Sequence, residues 1–179
     1  MKQGRSRQMT VAALIAACLA TTSWLAALLP SSVPLTLQTF FVVLAALLLR
    51  PRWAAASLLV YVALGAVGLP VFAGGRGGAA VLVGPTGGYL VAFVVAAFLG
   101  ACIASGRAQP ALWRQIGAAF VVILTVNVLG AAWLSWSAHL PLAAALAAGV
   151  AAFIVGDVLK AAAALAVARF LGQQLSTGS

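Results

Sequence analysis

Asp157 and Lys160 stand three residues apart in a run that is otherwise apolar, Gly156-Asp-Val-Leu-Lys-Ala-Ala-Ala-Ala-Leu-Ala-Val-Ala. On a helix that spacing puts both side chains on one face, where an acid and an amine can neutralise each other and still look into the same cavity. A charge near the centre of a bilayer costs about 2.5–3.5 kcal/mol on the insertion scale. The chain has a single acid, and it stands here. Ionisable residues placed within a membrane span mark a ligand or ion path. The alternative is an ion pair that only locks helices together. A proton relay finds no chain of acids or histidines to pass protons along.

The second group is the segment from Val71 to Tyr89, VFAGGRGGAAVLVGPTGGY, which holds seven of the 18 glycines. Glycine permits positive φ and close backbone approach to a ligand, and successive backbone N–H groups can cradle an anion. Arg76, Gly77 and Gly78 are its centre. The expectation is a lid over a pocket rather than an idle connector, because about 15 residues is long for a mere connection. A phosphate-binding Gly-x-x-x-x-Gly-Lys-Ser/Thr loop is absent, and one Asp cannot supply magnesium ligands, so the chain is not expected to hydrolyse ATP. Ser31, Ser32, Thr36, Gln38 and Thr39 set hydroxyls and an amide near the same mouth. Gln38 either caps a helix or lines the pocket. Asn127 either bonds to a neighbouring helix, for roughly 0.6 kcal/mol, or touches ligand. His139, with no acid beside it, reads as a solvated loop residue. No Gly-x-Ser-x-Gly element accompanies it, and no enzyme is expected. Cys18 and Cys102 show no metal-ligand spacing and read as packing residues; neither a metal nor any other cofactor is expected.

The elements that must carry these residues follow from composition. Of 179 residues, 65% are hydrophobic and 6% charged, with a net charge of +9, against about 25% charged in soluble domains. That excludes a water-soluble globule, and ten scattered cations do not make a nucleic-acid patch. At about 20 apolar residues per crossing, the chain has room for one all-α transmembrane domain of six helices. The apolar runs and their breakers put these at about 9–29, 35–49, 53–69, 86–105, 112–136 and 142–170, with an outer Gly-rich loop at 71–85 and a frayed tail after Phe170. Helix 1 reads as a span rather than a secretory signal. Lys2, Arg5, Arg7, Arg50, Arg52, Arg107, Arg114 and Arg169 then share one side, leaving Arg76 on the other. The positive-inside rule makes the first side cytoplasmic, with both termini inside. In helix 1, Ala12, Ala16 and Ala20 repeat every four residues, with Ala13 and Ala17 beside them, and Gly149 and Gly156 lie seven apart in helix 6. Small residues at such spacings admit a close helix neighbour.

The run from Pro34, PLTLQTFFVVLAALLLRPRWAAASLLVYVALGAVGLPVFAGGRGGAAVLVGPTGGY, together with GDVLKAAAALAVA at the end, resembles the biotin-specific S components of energy-coupling factor (ECF) transporters, the BioY family. The likeness covers nearly the whole chain and rests on the loop motif and the Asp-x-x-Lys helix jointly. It implies a six-helix S-component bundle in a prokaryotic cell membrane, capture of biotin from outside, and delivery to the cytoplasm powered by a transmembrane coupling (T) subunit and two ABC-type ATPases; self-association stays open. Carried over by residue, it implies that Asp157 and Lys160, the loop residues Arg76, Gly77 and Gly78, and Tyr89 bind substrate, joined by Asn127, Gln38 and Thr36. It implies that Ala12, Ala16 and Ala20 dock on the T subunit. The Ala-Phe-Ile-Val before Gly156 departs from the family's Pro-containing form. For a biotin guest, Asp157 would accept from the ureido N–H groups and Lys160 would donate to the ureido oxygen or the carboxylate. Arg76 and the loop N–H groups would hold the carboxylate, and Tyr89 and Trp53 would wall the apolar rings. The alternatives are another vitamin on the same scaffold, or a ligand-free structural or channel-forming subunit.

Overall fold

The computed structural model describes residues 2–25, 37–104, 110–147 and 154–177. Within them the chain folds into α1 (Lys2–Leu25), α2 (Gln38–Leu48), α3 (Pro51–Ala66), α4 (Ala79–Val83), α5 (Gly87–Ala104), α6 (Leu112–Ser137), α7 (Leu142–Leu146) and α8 (Ile154–Thr177). There is no strand among the described residues, only an isolated antiparallel bridge between Phe72 and Arg76.

Local chemistry sets the helix ends. Arg50 is extended (ψ 153°), as the residue before a proline must be, and Pro51 takes the first helical position, where its missing N–H is no loss. The Arg50 carbonyl then accepts from the N–H groups of Trp53 (2.9 Å) and Ala54 (3.0 Å). At the other end of α3, Gly68 turns left-handed (φ 106°). Its N–H meets the Gly65 carbonyl at 3.1 Å and the Leu69 N–H meets the Leu64 carbonyl at 3.2 Å, the paired closure by which a glycine stops a helix.

The centre belongs to α2 and α5. Val42, Val43 and Ala45 of α2 and Ala92, Ala96, Ala97 and Ala101 of α5 are fully buried. α5 packs along α6, and the contact depends on glycines. A Cβ at Gly88 would run into Trp133, one at Gly130 into the Tyr89 ring, and one at Gly100 into Val122. α8 lies along α2, and α1 lies along α3 and α2. The Ser57 hydroxyl of α3 donates to the Ala12 carbonyl at 2.8 Å. The outer faces carry large apolar side chains: Phe120 is 64% exposed and Val91 54%, surfaces suited to lipid rather than water. α5 and α6 are each long and apolar enough to cross a membrane; α2 and α3 are apolar but shorter.

The helices run alternately, so the bundle has two distinct ends. One gathers the start of α1, the α2–α3 turn and the start of α6; there the Gln8 amide oxygen accepts from the Arg50 N–H at 2.8 Å, and Arg5, Arg7, Arg50, Arg52 and Arg114 lie here. The other gathers the ends of α1, α3 and α6, the starts of α2 and α5, and residues 67–86. Arg107 lies outside the described residues.

Several expectations need correction. α1 begins at Lys2 rather than near residue 9: no proline stands between Lys2 and Met9, and the lone Gly4 weakens a helix without ending it. Residues 71–85 are not all loop: Ala79–Val83, an apolar run without glycine, forms α4. The tail after Phe170 stays helical through Thr177: no proline follows Phe170, and Gly172 does not stop the helix. Ser31, Ser32, Thr36 and Gly149 lie outside the described residues.

Gly130→Ala must displace the Tyr89 ring, and overpacking of this kind costs about 1–3 kcal/mol. It is expected to lower the thermal midpoint of the purified protein by several degrees. Gly117→Ala, whose Cβ would meet nothing within 4 Å, is expected to leave the midpoint unchanged or slightly raised.

Candidate functional site

The Asp157 side chain is 7% exposed and that of Lys160 12%, and the Lys160 Nζ donates to Asp157 Oδ1 at 3.5 Å. Charge-assisted N–H···O bonds usually close to about 2.7–2.9 Å. The pair is therefore charge-matched but loosely held, and both groups keep bonding capacity for something else. Asp157 opens the described part of α8, one turn from its first residue, and Ala161, Ala164 and Ala168 continue the buried stripe below it.

Tyr89 sits on the third residue of α5, with its ring lodged against Gly130 of α6. It is close enough to Asp157 for the carboxylate's field to reach its hydroxyl. That hydroxyl is buried and, among the described residues, has no hydrogen-bond partner. A buried polar group left unmatched costs about 1–3 kcal/mol, and buried tyrosine hydroxyls normally find a partner. Here the open valence lies within the electrostatic reach of the only carboxylate in the chain. Asn127, one turn before Gly130, is buried and donates to the Ile123 carbonyl of its own helix at 2.9 Å; it makes no bond across to another helix among the described residues.

The Gly-rich segment stands at the same end of the bundle. Phe72 and Arg76 exchange backbone bonds of 2.9 and 3.3 Å, closing a tight hairpin whose Gly74 and Gly75 both have positive φ. The Gly78 N–H donates to the Gly65 carbonyl at 2.7 Å, which folds the hairpin back over the end of α3. A Cβ at Gly77 would strike the Leu69 carbonyl, so glycine is required there for close approach. The Arg76 guanidinium is exposed and has no acidic partner among the described residues. Trp133 Nε1 donates to the Gly84 carbonyl at 2.9 Å and ties the α4–α5 connection to α6. The sequence reading missed Trp133; its spacing of three from Gly130 on one helical face was the available signal.

Three expected roles change. Gln38 commits both amide donors inside the bundle, to Tyr61 Oη at 2.7 Å and Ser23 Oγ at 3.3 Å, leaving only its carbonyl for other use. Trp53 opens α3 at the Arg-rich end, about 20 Å from the hairpin at 1.5 Å rise per residue, and cannot wall a pocket beside Tyr89. Ala12 and Ala16 are 5% and 2% exposed, turned toward α3 and α2, and Ala20 is half-buried. The small residues of α1 that stay outward are Ala13 and Ala17.

The BioY family model matches residues 1–177. This chain belongs to the BioY family. A probable biotin transporter BioY of Pyrococcus horikoshii is 44% identical over 139 residues, 78% of this chain and 80% of the relative. The biotin transporter BioY of Thermotoga maritima is 37% identical over 162 residues, 90% of this chain and 94% of the relative. Among solved structures, the S-component for biotin from an ECF-type ABC transporter superposes with a TM-score of 0.78 at 29% identity, covering 97% of this chain and 94% of that one. The family is one of membrane transporters. The BioY bundle described above thus gathers Asp157, Lys160 and Tyr89 at one end, with Arg76, Gly77 and Gly78 on the hairpin over the same end.

Breaking a buried ion pair by removing one member costs about 3–5 kcal/mol. Asp157→Asn, which strands the Lys160 ammonium, is expected to lower the thermal midpoint clearly. The double variant Asp157→Asn/Lys160→Met is expected to recover most of that loss. Thermal unfolding of the three proteins in detergent checks this; a double variant no better than the single would mean the pair carries little of the electrostatic balance.

Proposed function

We propose that this chain is a substrate-binding S component that captures biotin from outside the cell with high affinity and mediates its uptake into the cytoplasm, driven by an ECF ATPase module. The observation that carries the reading is the buried Asp157–Lys160 pair beside the unpartnered Tyr89 hydroxyl. Biotin brings two ureido N–H donors, a ureido oxygen, an apolar sulfur ring and tail, and a carboxylate. Asp157 accepts from the ureido N–H groups. Lys160 and the Tyr89 hydroxyl serve the ureido oxygen, Asn127 lines the wall, and Arg76 with the N–H groups around Gly77 and Gly78 holds the carboxylate nearer the mouth. Gln38 contributes its remaining carbonyl, and Thr36, outside the described residues, contributes its hydroxyl. A mostly apolar site with a few polar groups is the usual form of a pocket for such a molecule. The relatives named as biotin transporters and the superposed biotin S component support the assignment.

The chain is a single transmembrane domain crossing the inner membrane six times, by α1, α2, α3, α5, α6 and α8, with α4 and α7 short outer segments. Both termini are cytoplasmic, because the cations collect at the end of the bundle away from Arg76. The chain binds no cofactor; ATP is used by two ABC-type ATPase subunits, reached through a T subunit. That subunit meets the outward row of α1, Ala13 and Ala17, since Ala12 and Ala16 are spent inside the bundle.

Isothermal titration of the purified chain with biotin tests the reading most directly. Tight binding is expected, lost by Asp157→Asn and by Asp157→Asn/Lys160→Met alike. Biotin with its carboxyl group blocked is expected to bind at least tenfold more weakly; full-strength binding excludes the Arg76 role. Ala17→Leu is expected to leave biotin binding by the isolated chain intact and to reduce ATP-driven uptake in cells carrying the whole transporter.

A further inference from the structure

Four segments meet at the Tyr61 hydroxyl. The two amide hydrogens of Gln38 on α2 go to Tyr61 Oη at 2.7 Å and to Ser23 Oγ on α1 at 3.3 Å. Each hydroxyl then passes its own proton to a backbone carbonyl: Ser23 to Leu19 at 2.8 Å within α1, and Tyr61 to Val71 at 3.0 Å. The Ser23–Tyr61 contact at 3.3 Å needs no proton of its own. Donors and acceptors therefore balance, and only one of these bonds leaves the helices: the one to Val71, at the foot of the 72–76 hairpin. Next to it, Phe72 stands edge-on to the Tyr61 ring, centroids 5.7 Å apart at 80°, and is packed onto Gly65. Tyr61 is fully buried and Phe72 is 2% exposed. The rest of the hairpin is glycine-rich and its Arg76 is exposed; its far leg returns to the end of α3 through the Gly78 N–H bond to the Gly65 carbonyl, and its near leg is held by these anchors.

We propose that Tyr61 is a positioning residue for the ligand site. Its hydroxyl, oriented by Gln38 and Ser23, holds the 71–78 hairpin in register over the mouth, and it controls how long ligand is retained without touching it. This rests on the reading of the chain as a biotin-binding S component for the ligand, though not for the hairpin. It also assigns the two amide donors of Gln38 to Tyr61 and Ser23 rather than to the guest.

The test compares Tyr61→Phe, which keeps the ring and its contact with Phe72, with Ser57→Ala, which removes a buried bond between α3 and α1 one helical turn away from Tyr61 and makes no bond to the hairpin. Hydrogen exchange of the ligand-free proteins reads the Phe72, Gly75, Arg76 and Gly78 amides; a radiolabelled biotin chase reads the dissociation rate. Tyr61→Phe is expected to speed exchange of these amides about tenfold, leave α5 and α6 protection unchanged, and speed biotin release about tenfold. Ser57→Ala is expected to do neither. Unchanged hairpin exchange in Tyr61→Phe overturns the proposal, as does an equal rise in Ser57→Ala, which would mark a merely structural role. Faster exchange with an unchanged release rate overturns the link to ligand retention. If wild-type protein binds no biotin, the ligand reading fails and the exchange comparison alone decides whether Tyr61 positions the hairpin; Tyr61→Trp, which crowds the same anchor, is then expected to speed exchange as well.

Discussion

Inside hydrocarbon no water is available to complete an unfinished hydrogen bond, so each polar group must find its match within the protein. The chain obeys this closely. Thr21 and Thr22 return their hydroxyl protons to carbonyls of their own helix, at 3.0 and 2.7 Å. Ser57 reaches across to the Ala12 carbonyl, Gln38 divides its two donors between two hydroxyls, and the single carboxylate takes the nearby amine. Against that closed accounting, the buried side-chain atoms left without a partner among the described residues are the Tyr89 hydroxyl and the Gln115 Oε1. Gln115 already donates to the Pro110 carbonyl at 2.7 Å and stands at the Arg-rich end. Tyr89 stands within electrostatic reach of Asp157, so the two orphans lie in very different surroundings.

The packing serves the same end. Between lipid-bathed helices there is no hydrophobic drive toward association, so contact area and close approach decide which faces meet. Gly88 and Gly130 let Trp133 and Tyr89 cross the α5–α6 seam in opposite directions. Tyr89 is thereby held at a fixed height near Asp157, and Trp133 reaches back to the Gly84 carbonyl to hold the start of α5. Gly65 plays the same part for Phe72. Rigid placement of Tyr89, Trp133 and Phe72 is thus obtained from absent side chains as much as from present ones.

Much of this was legible in the residue order because the bilayer imposes a coarse rule. Long apolar runs, prolines at 30, 51, 70, 85 and 141 and the one-sided distribution of arginine mark helices and ends without knowledge of contacts. The Asp157–Lys160 spacing is local, so it could be read directly. What the residue order could not set depends on long-range neighbours. Ala12 and Ala16 form one row of α1 and Ala13 and Ala17 the next, about 100° round the helix; which row turns inward is decided by Ser57, 45 residues away in sequence. Gln38 looked like a pocket donor because Tyr61, its partner, lies 23 residues on. Trp53 looked like a wall because linear proximity to the Gly-rich segment hides the full length of α3 between them. α4 was hidden by glycines on both sides, whose freedom masks the short apolar run between.

α2 is the most enclosed helix of the bundle and also a short one, 11 residues from Gln38 to Leu48. At 1.5 Å per residue it extends about 16 Å, roughly half the hydrocarbon thickness. A segment of that length has little tendency to enter a bilayer alone and gains its place by being surrounded. During synthesis it must therefore wait, paired with α1 or α3, until α5, α6 and α8 have emerged to enclose it. The helix that carries Gln38 is consequently among the last to reach its final setting, and the end of the bundle bearing the 72–76 hairpin takes shape only when the whole chain has been made.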